Sequence, residues 1–237
     1  MEFSQALIPA VLLKRYKRFL ADVRLEDGTE LTVHVPNTGS LLGCADAGLR
    51  VWLSDSGNLE RKYRYTWEQV SVGPARVGIN THRANALVGE AIDGGLLDLL
   101  AGYTERRAEV RYGEENSRID WLLTHPERPR CYVEVKNVTA AVEAGIALFP
   151  DAVSTRGTKH LREMMRRVAE GERAVLVFCV QRDDVHEVRP ADSIDPEYGR
   201  VLREALQAGV EAVACGATLT DRKILLTCRI PIICPAR

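Results

Sequence analysis

The amino-acid sequence predicts an α/β protein with an all-β N-terminal part, that is, a small β-barrel followed by an α/β domain with a mixed sheet. Two observations predict this fold class. Residues 1–80 consist of short, partly alternating apolar runs separated by turn residues, which is typical of strands. From about Asn80, segments of helical periodicity alternate with strand-like runs. A length of 237 residues accommodates two domains, which we expect at 1–80 and 81–237.

The strands of the first part are predicted from four segments and the turns between them. The segments are LLKRYKRFLADVRL (12–25), ELTVHVP (30–36), LRVWLS (49–54) and YTWEQVSV (65–72). The turns lie at Asp27-Gly28, 36–39 and 54–57. About five short strands suit a small closed barrel or a sandwich, because closure removes the unpaired edges of a sheet. An OB-like barrel is one candidate.

The second part alternates helices with strands. The sequence predicts a helix at 81–93 that ends at Gly94-Gly95, a helix at 156–170 that ends at Gly171, and a helix near 196–208. The predicted strands are AEVRYG (108–113), SRIDWLLT (117–124), RCYVEVKNV (130–138), AVLVFCVQ (174–181), VEAVACGAT (210–218) and KILLTCRI (223–230). This order predicts a mixed sheet covered by helices.

Composition excludes several classes of protein. There are 32 basic and 33 acidic residues, a net charge of −1, which excludes a protein that is basic over its whole surface but allows a local basic patch. The six cysteines form no CxxC pair, so we expect reduced thiols in a cytoplasmic protein and no zinc site. No uncharged apolar run approaches the length of a membrane span.

Asp120, Glu134 and Lys136 are the residues that indicate chemistry. Side chains alternate between the two faces of a strand, so Glu134 and Lys136 share a face, and a neighbouring strand would bring Asp120 beside them. Carboxylate oxygens suit Mg²⁺ or Mn²⁺, with the Val135 carbonyl as a further ligand. A lysine beside the metal could orient a water for phosphodiester hydrolysis. The pattern D…ExK is the signature of PD-(D/E)xK nucleases, and we expect one or two ions.

The same pattern also fits an ordinary exposed strand with a salt bridge, because opposite charges on one face pair favourably. The apolar residues Val133 and Val135 beside the motif favour a buried strand, where charges need partners or a metal. Glu90 on the preceding helix is a further candidate ligand, and Glu115 in the loop before Asp120 is a weaker one. For both of them, a solvated surface glutamate is the alternative.

Three basic segments are candidate DNA-binding surfaces, because cations neutralise phosphates and interleaved aromatic rings stack on bases. Each could equally be a solvated surface, or in part core. On the helix at 156–170, the cations are expected to be exposed, opposite Leu161, Met164 and Val168. The candidate residues are Lys14, Arg15, Lys17, Arg18, Arg61, Lys62, Arg64, Arg156, Lys159, Arg162, Arg166 and Arg167.

Several long segments, in this order, resemble the sugar fermentation stimulation protein A family of bacteria and archaea. They are LLKRYKRFLADV (12–23), PNTGSLLGCA (36–45), RKYRYTWE (61–68), INTHRANALVGEAI (79–92), EVRYGEENSRIDWLL (109–123), CYVEVKNVT (131–139) and FPDAVSTRGTKHLREM (149–164). The resemblance implies an OB-like domain followed by a PD-(D/E)xK nuclease-like domain. It also implies non-specific binding of duplex or single-stranded DNA and a link to the regulation of sugar (maltose) metabolism.

Three functions remain open from the sequence. The first is a non-specific DNA-binding protein of the sugar fermentation stimulation type that carries a nuclease-like metal site. The second is an active Mg²⁺- or Mn²⁺-dependent DNA nuclease with Asp120, Glu134 and Lys136 in catalysis, and with Asp120, Glu134, Val135 and Glu90 around the metal. The third is a carbohydrate- or small-molecule-binding module, because OB-like barrels also bind oligosaccharides.

Overall fold

The computed structural model describes residues 1–113, 117–143 and 145–235. Its N-terminal part is a sheet of six strands in the order β3-β2-β1-β4-β5-β6. The strands are β1 (Ile8–Tyr16), β2 (Leu20–Leu25), β3 (Glu30–His34), β4 (Arg50–Asp55), β5 (Tyr65–Val72) and β6 (Ala75–Gly78). Parallel pairing of His34 in β3 with Thr66 in β5 closes β1–β5 into a barrel, so the predicted OB-type barrel is confirmed.

The C-terminal part is built on a mixed sheet of six strands in the order β15-β14-β12-β9-β8-β7, and this confirms the predicted α/β domain. The central strands β9, β12 and β14 are parallel, and β7, β8 and β15 are antiparallel to their neighbours. The strands are β7 (Glu105–Tyr112), β8 (Ser117–His125), β9 (Arg128–Val138), β12 (Arg173–Val180), β14 (Glu211–Leu219) and β15 (Ile224–Ile230).

Three α-helices cover the two faces of this sheet and bury a core on each face. They are α1 (Ala84–Asp93), α2 (Thr155–Ala169) and α3 (Pro196–Gln207). Helix α1 packs Leu87 and Val88 on one face, while α2 and α3 pack on the other. Capping explains where α2 and α3 begin, because Ser154 Oγ accepts the Gly157 N–H at 3.0 Å and Asp195 Oδ1 accepts the Tyr198 N–H at 3.0 Å.

A small third sheet was not predicted from the sequence. It joins β10 (Ala141–Glu143), β11 (Gly145–Phe149) and β13 (Val185–Pro190), in that order. Its strands are 3, 5 and 6 residues long. Runs this short are too brief for a period of two to stand out, so their pairing could not be read from the pattern.

Polar contacts join the barrel to the α/β domain. The Gly78 N–H donates to the Gln181 carbonyl at 2.8 Å, and Gln69 Nε2 donates to the Thr220 carbonyl at 2.9 Å. The Arg76 N–H of the barrel donates to Asp183 Oδ1 of the α/β domain at 2.9 Å. Directional bonds of this kind fix one relative placement of the two parts, and a cleft lies where they meet. In the described ranges, none of the helices has the length and apolar character needed to cross a bilayer.

Candidate metal centre and interdomain cleft

The candidate site lies where β8 and β9 diverge. Their antiparallel ladder runs from Leu123–Cys131 to Trp121–Val133, which brings Asp120 and Glu134 to the next position on the two strands. Beyond this point the Val135 N–H has no backbone partner on β8, and Asp120 Oδ2 accepts it instead at 2.7 Å. The divergence therefore places a carboxylate where a ladder carbonyl would otherwise lie.

Asp120 is held from a second direction by the first turn of α1. Its Oδ1 accepts a hydrogen bond from Asn85 Nδ2 at 2.8 Å. Burial and the neighbouring charge of Glu134 raise the pKa of Asp120 to about 6, although its bonds to Val135 and Asn85 oppose that rise. Asp120 is therefore a carboxylate whose charge is costly in this site without a further cation.

Glu134 is 3% exposed, and its two oxygens have different surroundings. Its Oε1 accepts from Lys136 Nζ at 2.7 Å and from His160 Nδ1 of helix α2. Burial alone would raise the pKa of Glu134, but Lys136 and His160 outweigh it and hold that pKa below its ordinary value. Its Oε2 is buried and accepts no hydrogen bond from the described residues. A buried oxygen of an ionised carboxylate that accepts no hydrogen bond is suited to binding a cation, because a buried charge needs a partner.

Glu163, also on α2, is a second buried carboxylate, and the sequence analysis did not single it out. It is 1% exposed, its Oε1 bonds to Arg166, and its Oε2 has no partner among the described residues. A Cβ added to Gly113 would lie 2.3 Å from that Oε2, so only glycine allows this approach. Burial and the charges of Glu134, Glu163 and Asp120 raise the pKa of Tyr112, which keeps its buried hydroxyl protonated.

The structure brings Asp120, Glu134 and Lys136 together, but it does not bring Glu90 to them. The Glu90 side chain is 51% exposed, and its carboxylate pairs with the Met1 ammonium group at 2.5 Å. Asn85, five residues earlier on α1, is the residue that reaches Asp120, and five residues turn a helix by about 140°. Glu115 lies outside the described residues.

The basic residues of the barrel differ in whether their charged groups are already bonded within the protein. Arg15 has a structural role, because its guanidinium donates to the carbonyls of Arg18, Asn37, Gly39 and Ser40. Burial lowers the pKa of Arg15, and Asp151 opposes this.

Other barrel cations are paired, stacked or exposed. Lys14 lies 3.3 Å from Asp22, and Arg64 forms two hydrogen bonds to Asp55. Lys62 stacks on the ring of Tyr63, while Lys17 and Arg18 are exposed.

Arg61 lines a separate cavity of about 640 Å³ on the barrel, together with His34 and His82. Partial burial, Arg61 and His82 lower the pKa of His34. This cavity therefore favours the neutral imidazole of His34, and its permanent cations are Arg61 and Arg83, of which Arg83 pairs with Glu68.

Helix α2 corrects one expectation about exposure. Arg156 and Arg162 are exposed, and Arg162 pairs with Glu197 at 2.8 Å, while Lys159 is half-buried. The Arg167 side chain, expected on the exposed face, is only 16% exposed and pairs with Glu170 at 2.7 Å. Arg167 lies beside Val168 on the helix, so its stem packs on the border of the apolar face.

Lys136 also lines a cleft of about 430 Å³ between the two parts of the protein. The barrel contributes Arg18 and residues 37–39, and α1 contributes Asn85. Residues 149–154 form a further wall. The cleft therefore joins a cation of the barrel to the lysine beside the two carboxylates.

Comparison with known proteins identifies the family. A family model described as the N-terminal OB domain of the sugar fermentation stimulation family matches residues 13–79, and one described as the sugar fermentation stimulation protein RE domain matches residues 82–223. The chain belongs to the sugar fermentation stimulation protein family. The resemblance read from the sequence is thereby confirmed.

Relatives and a solved structure cover nearly the whole chain. A sugar fermentation stimulation protein homolog of Thioalkalivibrio sulfidiphilus is 62% identical over 226 residues, 95% of each chain. Another, of Halorhodospira halophila, is 55% identical over 235 residues, 98% of each chain. The fold is similar to that of Pyrococcus furiosus SfsA solved in complex with Ca²⁺, with a TM-score of 0.88, 28% identity and 98% coverage of both chains.

Sequence reasoning missed Asn85, His160 as a partner of Glu134, and Glu163. Helical spacing carried a signal for the last two, because His160 and Glu163 are three residues apart and flank Leu161 and Met164 of the buried face. Two polar side chains on the apolar side of an amphipathic helix predict a buried polar site beneath it.

Proposed function

We propose that this protein binds DNA without sequence specificity and hydrolyses phosphodiester bonds at a PD-(D/E)xK-type site formed by Asp120, Glu134 and Lys136. The observation that carries the proposal is the buried Glu134 Oε2, which has no partner among the described residues and belongs to an ionised carboxylate. Asp120 occupies the adjacent position on β8. Two carboxylates that meet in this way suit a divalent cation.

Mg²⁺ or Mn²⁺ fits this donor set. No cluster of three or more His, Cys, Asp or Glu side chains with ligand geometry occurs in the described part of the chain, so the protein would supply few ligands. Mg²⁺ tolerates this, because it keeps several waters and binds through one or two carboxylates. The Val135 carbonyl is a further candidate, since it faces the same side of β9 as the N–H that Asp120 accepts. The Pyrococcus furiosus relative was solved with Ca²⁺, another oxygen-seeking divalent ion.

The roles of the protein groups follow from their contacts. A bound Mg²⁺ or Mn²⁺ would supply a water of lowered pKa and neutralise charge on the scissile phosphate. Lys136 presents its ammonium beside Glu134 and lines the cleft, where it can position the attacking water and balance phosphate charge. Arg156 Nε donates to His160 Nε2 at 3.4 Å, which leaves the His160 proton on Nδ1 to hold Glu134 in place.

DNA binding would draw on the exposed cations rather than on all twelve that the sequence singled out. Lys17, Arg18, Arg61, Lys62 and Arg156 are exposed, and no ion pair to an acidic side chain joins any of them within the described ranges. Contacts to phosphates release counterions, so the affinity should fall steeply with salt and differ little between DNA sequences. The regulation of sugar (maltose) metabolism that the family resemblance implies would follow from this binding.

DNA binding without turnover is the second candidate, and one observation favours it. Lys136 donates to Glu134 at 2.7 Å, so in this arrangement its ammonium group is engaged by a would-be metal ligand. If this Lys136–Glu134 ion pair persists when DNA is bound, the protein would bind DNA at the cleft and leave the phosphodiester intact.

Calorimetric titration with Mn²⁺ separates the ligands from the lysine. Asp120→Asn should abolish Mn²⁺ binding, because it removes an anionic ligand, whereas Lys136→Ala should retain it. Glu90→Gln is the matched control, since it removes a carboxylate that lies outside the site, and it should bind Mn²⁺ like the wild type. If the wild type binds no Mn²⁺ at millimolar concentration, the metal proposal falls.

A cleavage assay then tests turnover with plasmid, linear duplex and single-stranded DNA in Mg²⁺, Mn²⁺ or EDTA. The wild type and Glu90→Gln should cleave with metal and not with EDTA, and both site variants should bind DNA without cleaving it. Mn²⁺ binding without any cleavage by the wild type would favour the second candidate.

A further inference from the structure

The turn between β1 and β2 has a strained backbone beside the cleft. Lys17 and Arg18 have φ angles of 50° and 64°, in the region that disfavours residues with a Cβ. The Phe19 N–H donates to the Lys17 carbonyl at 2.8 Å, which closes a γ-turn centred on Arg18. A γ-turn with positive φ is rare and strained. Glycine would adopt it freely, so the two cations are present despite the backbone they occupy.

Arg15 holds this turn against the strain. Its guanidinium donates to the Arg18 carbonyl at 2.7 and 3.0 Å and also reaches three carbonyls of residues 37–40. That loop is fixed in turn to the α/β domain, because Asp151 Oδ2 accepts the Leu41 N–H at 3.2 Å and the Ser40 hydroxyl at 3.3 Å. A strained backbone that several surrounding hydrogen bonds hold in place is typical of functional segments.

The cleft beside the turn has the chemistry of a nucleotide site. Its cations are Arg18 and Lys136, and the acidic side chain on its wall, Asp151, is already engaged by residues 40–41. The volume of about 430 Å³ falls in the range of small-molecule sites, about 300–1,000 Å³. Val153 on the wall is 71% exposed, and Phe19, next to Arg18, is 50% exposed. Sites that bind single-stranded nucleic acid typically combine cations with exposed aromatic and apolar side chains.

We propose that this cleft takes one unpaired nucleotide of a single-stranded nucleic acid, with its phosphate between Arg18 and Lys136 and its base against Phe19 and Val153. The proposal rests on the function proposed above and narrows its substrate to single strands and single-stranded ends. Paired bases are stacked within a duplex and cannot enter a cleft of single-nucleotide size unless they are first extruded, which costs free energy. A continuous duplex would therefore contact the outer cations without filling the cleft.

Binding measured in the cleavage-silent Asp120→Asn background tests this. Fluorescence anisotropy at one salt concentration would compare a single-stranded oligonucleotide, a closed hairpin duplex and the same duplex with a single-stranded tail. The single strand and the tailed duplex should bind at least about fivefold more tightly than the closed duplex. Phe19→Ala and Arg18→Gly should each weaken single-strand binding about tenfold, as expected for loss of one stacking or phosphate contact.

Two controls separate binding from folding. Arg222→Gly removes an exposed cation in the turn between β14 and β15, outside the residues that line the cleft, and should leave every affinity within about twofold. Arg18→Gly should not lower Tm, because glycine relieves the positive φ. Equal binding of single strand and closed duplex, or a joint loss of Tm and affinity in Arg18→Gly, would overturn this inference alone. A parent protein that binds none of the three nucleic acids would overturn the proposed DNA binding itself.

Discussion

The candidate metal centre and the turn at Lys17–Phe19 differ in how their charges are exposed and paired. At the centre, Asp120, Glu134 and Glu163 are largely withdrawn from water. Asp120 and Glu134 each accept a hydrogen bond from another element, and Glu163 accepts one from Arg166 of its own helix. In the turn, Lys17 and Arg18 are exposed, and neither has an ion-pair partner within the described ranges. Buried charges are linked to folding stability, because desolvation must be offset by partners, whereas exposed charges contribute little to stability and remain available to a ligand.

Removing the Asp120 charge should produce the largest effect on stability, and it should depend on pH. The folded-state pKa of Asp120 is raised from 3.8 to about 6, so the native state holds this proton more tightly than the unfolded state does. The favourable contribution is therefore complete below pH 4 and is lost as pH rises through 6. In EDTA, the wild type should lose about 2–3 kcal/mol from this group between pH 4 and pH 7.

Asp120→Asn cannot titrate and should lack this loss. Urea unfolding of both proteins at pH 4, 5, 6 and 7 measures it as a difference in slope, so any constant cost of the amide cancels. Parallel stability profiles of the two proteins would show that Asp120 is not desolvated in the apo protein. The contrast between a desolvated carboxylate and the exposed cations of the turn would then not hold.

Much of the centre could be predicted because side-chain alternation is a local property. Glu134 and Lys136 are two residues apart, so any strand through them places both on one face. Register was harder to predict, yet Asp120 could be inferred because the paired strands β8 and β9 are also consecutive in the chain. The barrel was predictable for a similar reason, since most of its strands pair with a neighbour in sequence.

The contributions of the helices could not be predicted in the same way. Which side of α1 faces Asp120 depends on how the helix is rotated against the sheet, and that rotation is set by tertiary packing. Glu90 and Asn85 were therefore indistinguishable from the sequence, although only Asn85 reaches the site. The pairing of Arg166 with Glu163 and of Arg167 with Glu170 was likewise hidden within a helix face that looks uniformly basic.

An intermediate effect is expected within α2 itself, where two arginines differ in their partners. Arg166→Ser removes the partner of the buried Glu163 and should lower the free energy of unfolding by about 1–3 kcal/mol. Arg162→Ser is the matched control, because its partner Glu197 is half-exposed, and it should cost less than about 1 kcal/mol. Adding Glu163→Gln to Arg166→Ser should recover part of the loss, as urea unfolding would measure. Equal costs for the two arginines would mean that burial of the partner does not decide their contribution.

The smallest effect on stability, with a clear effect on binding, is expected at the turn. Replacing Lys17 and Arg18 together by serine should change the free energy of unfolding by less than about 0.5 kcal/mol, because neither charge has an ion-pair partner among the described residues. The dependence of log K on log salt for duplex DNA should become shallower by about 1–2 units, since each lost phosphate contact removes about 0.9. Arg24→Ser with Arg50→Ser removes the same charge from the same barrel, but these arginines pair with Glu30 and Glu26 at 3.1 and 3.5 Å. Anisotropy titrations over a salt series should therefore find a smaller change in slope for this control pair. If both double variants flatten the slope equally, total charge rather than pairing governs the binding of DNA to the barrel.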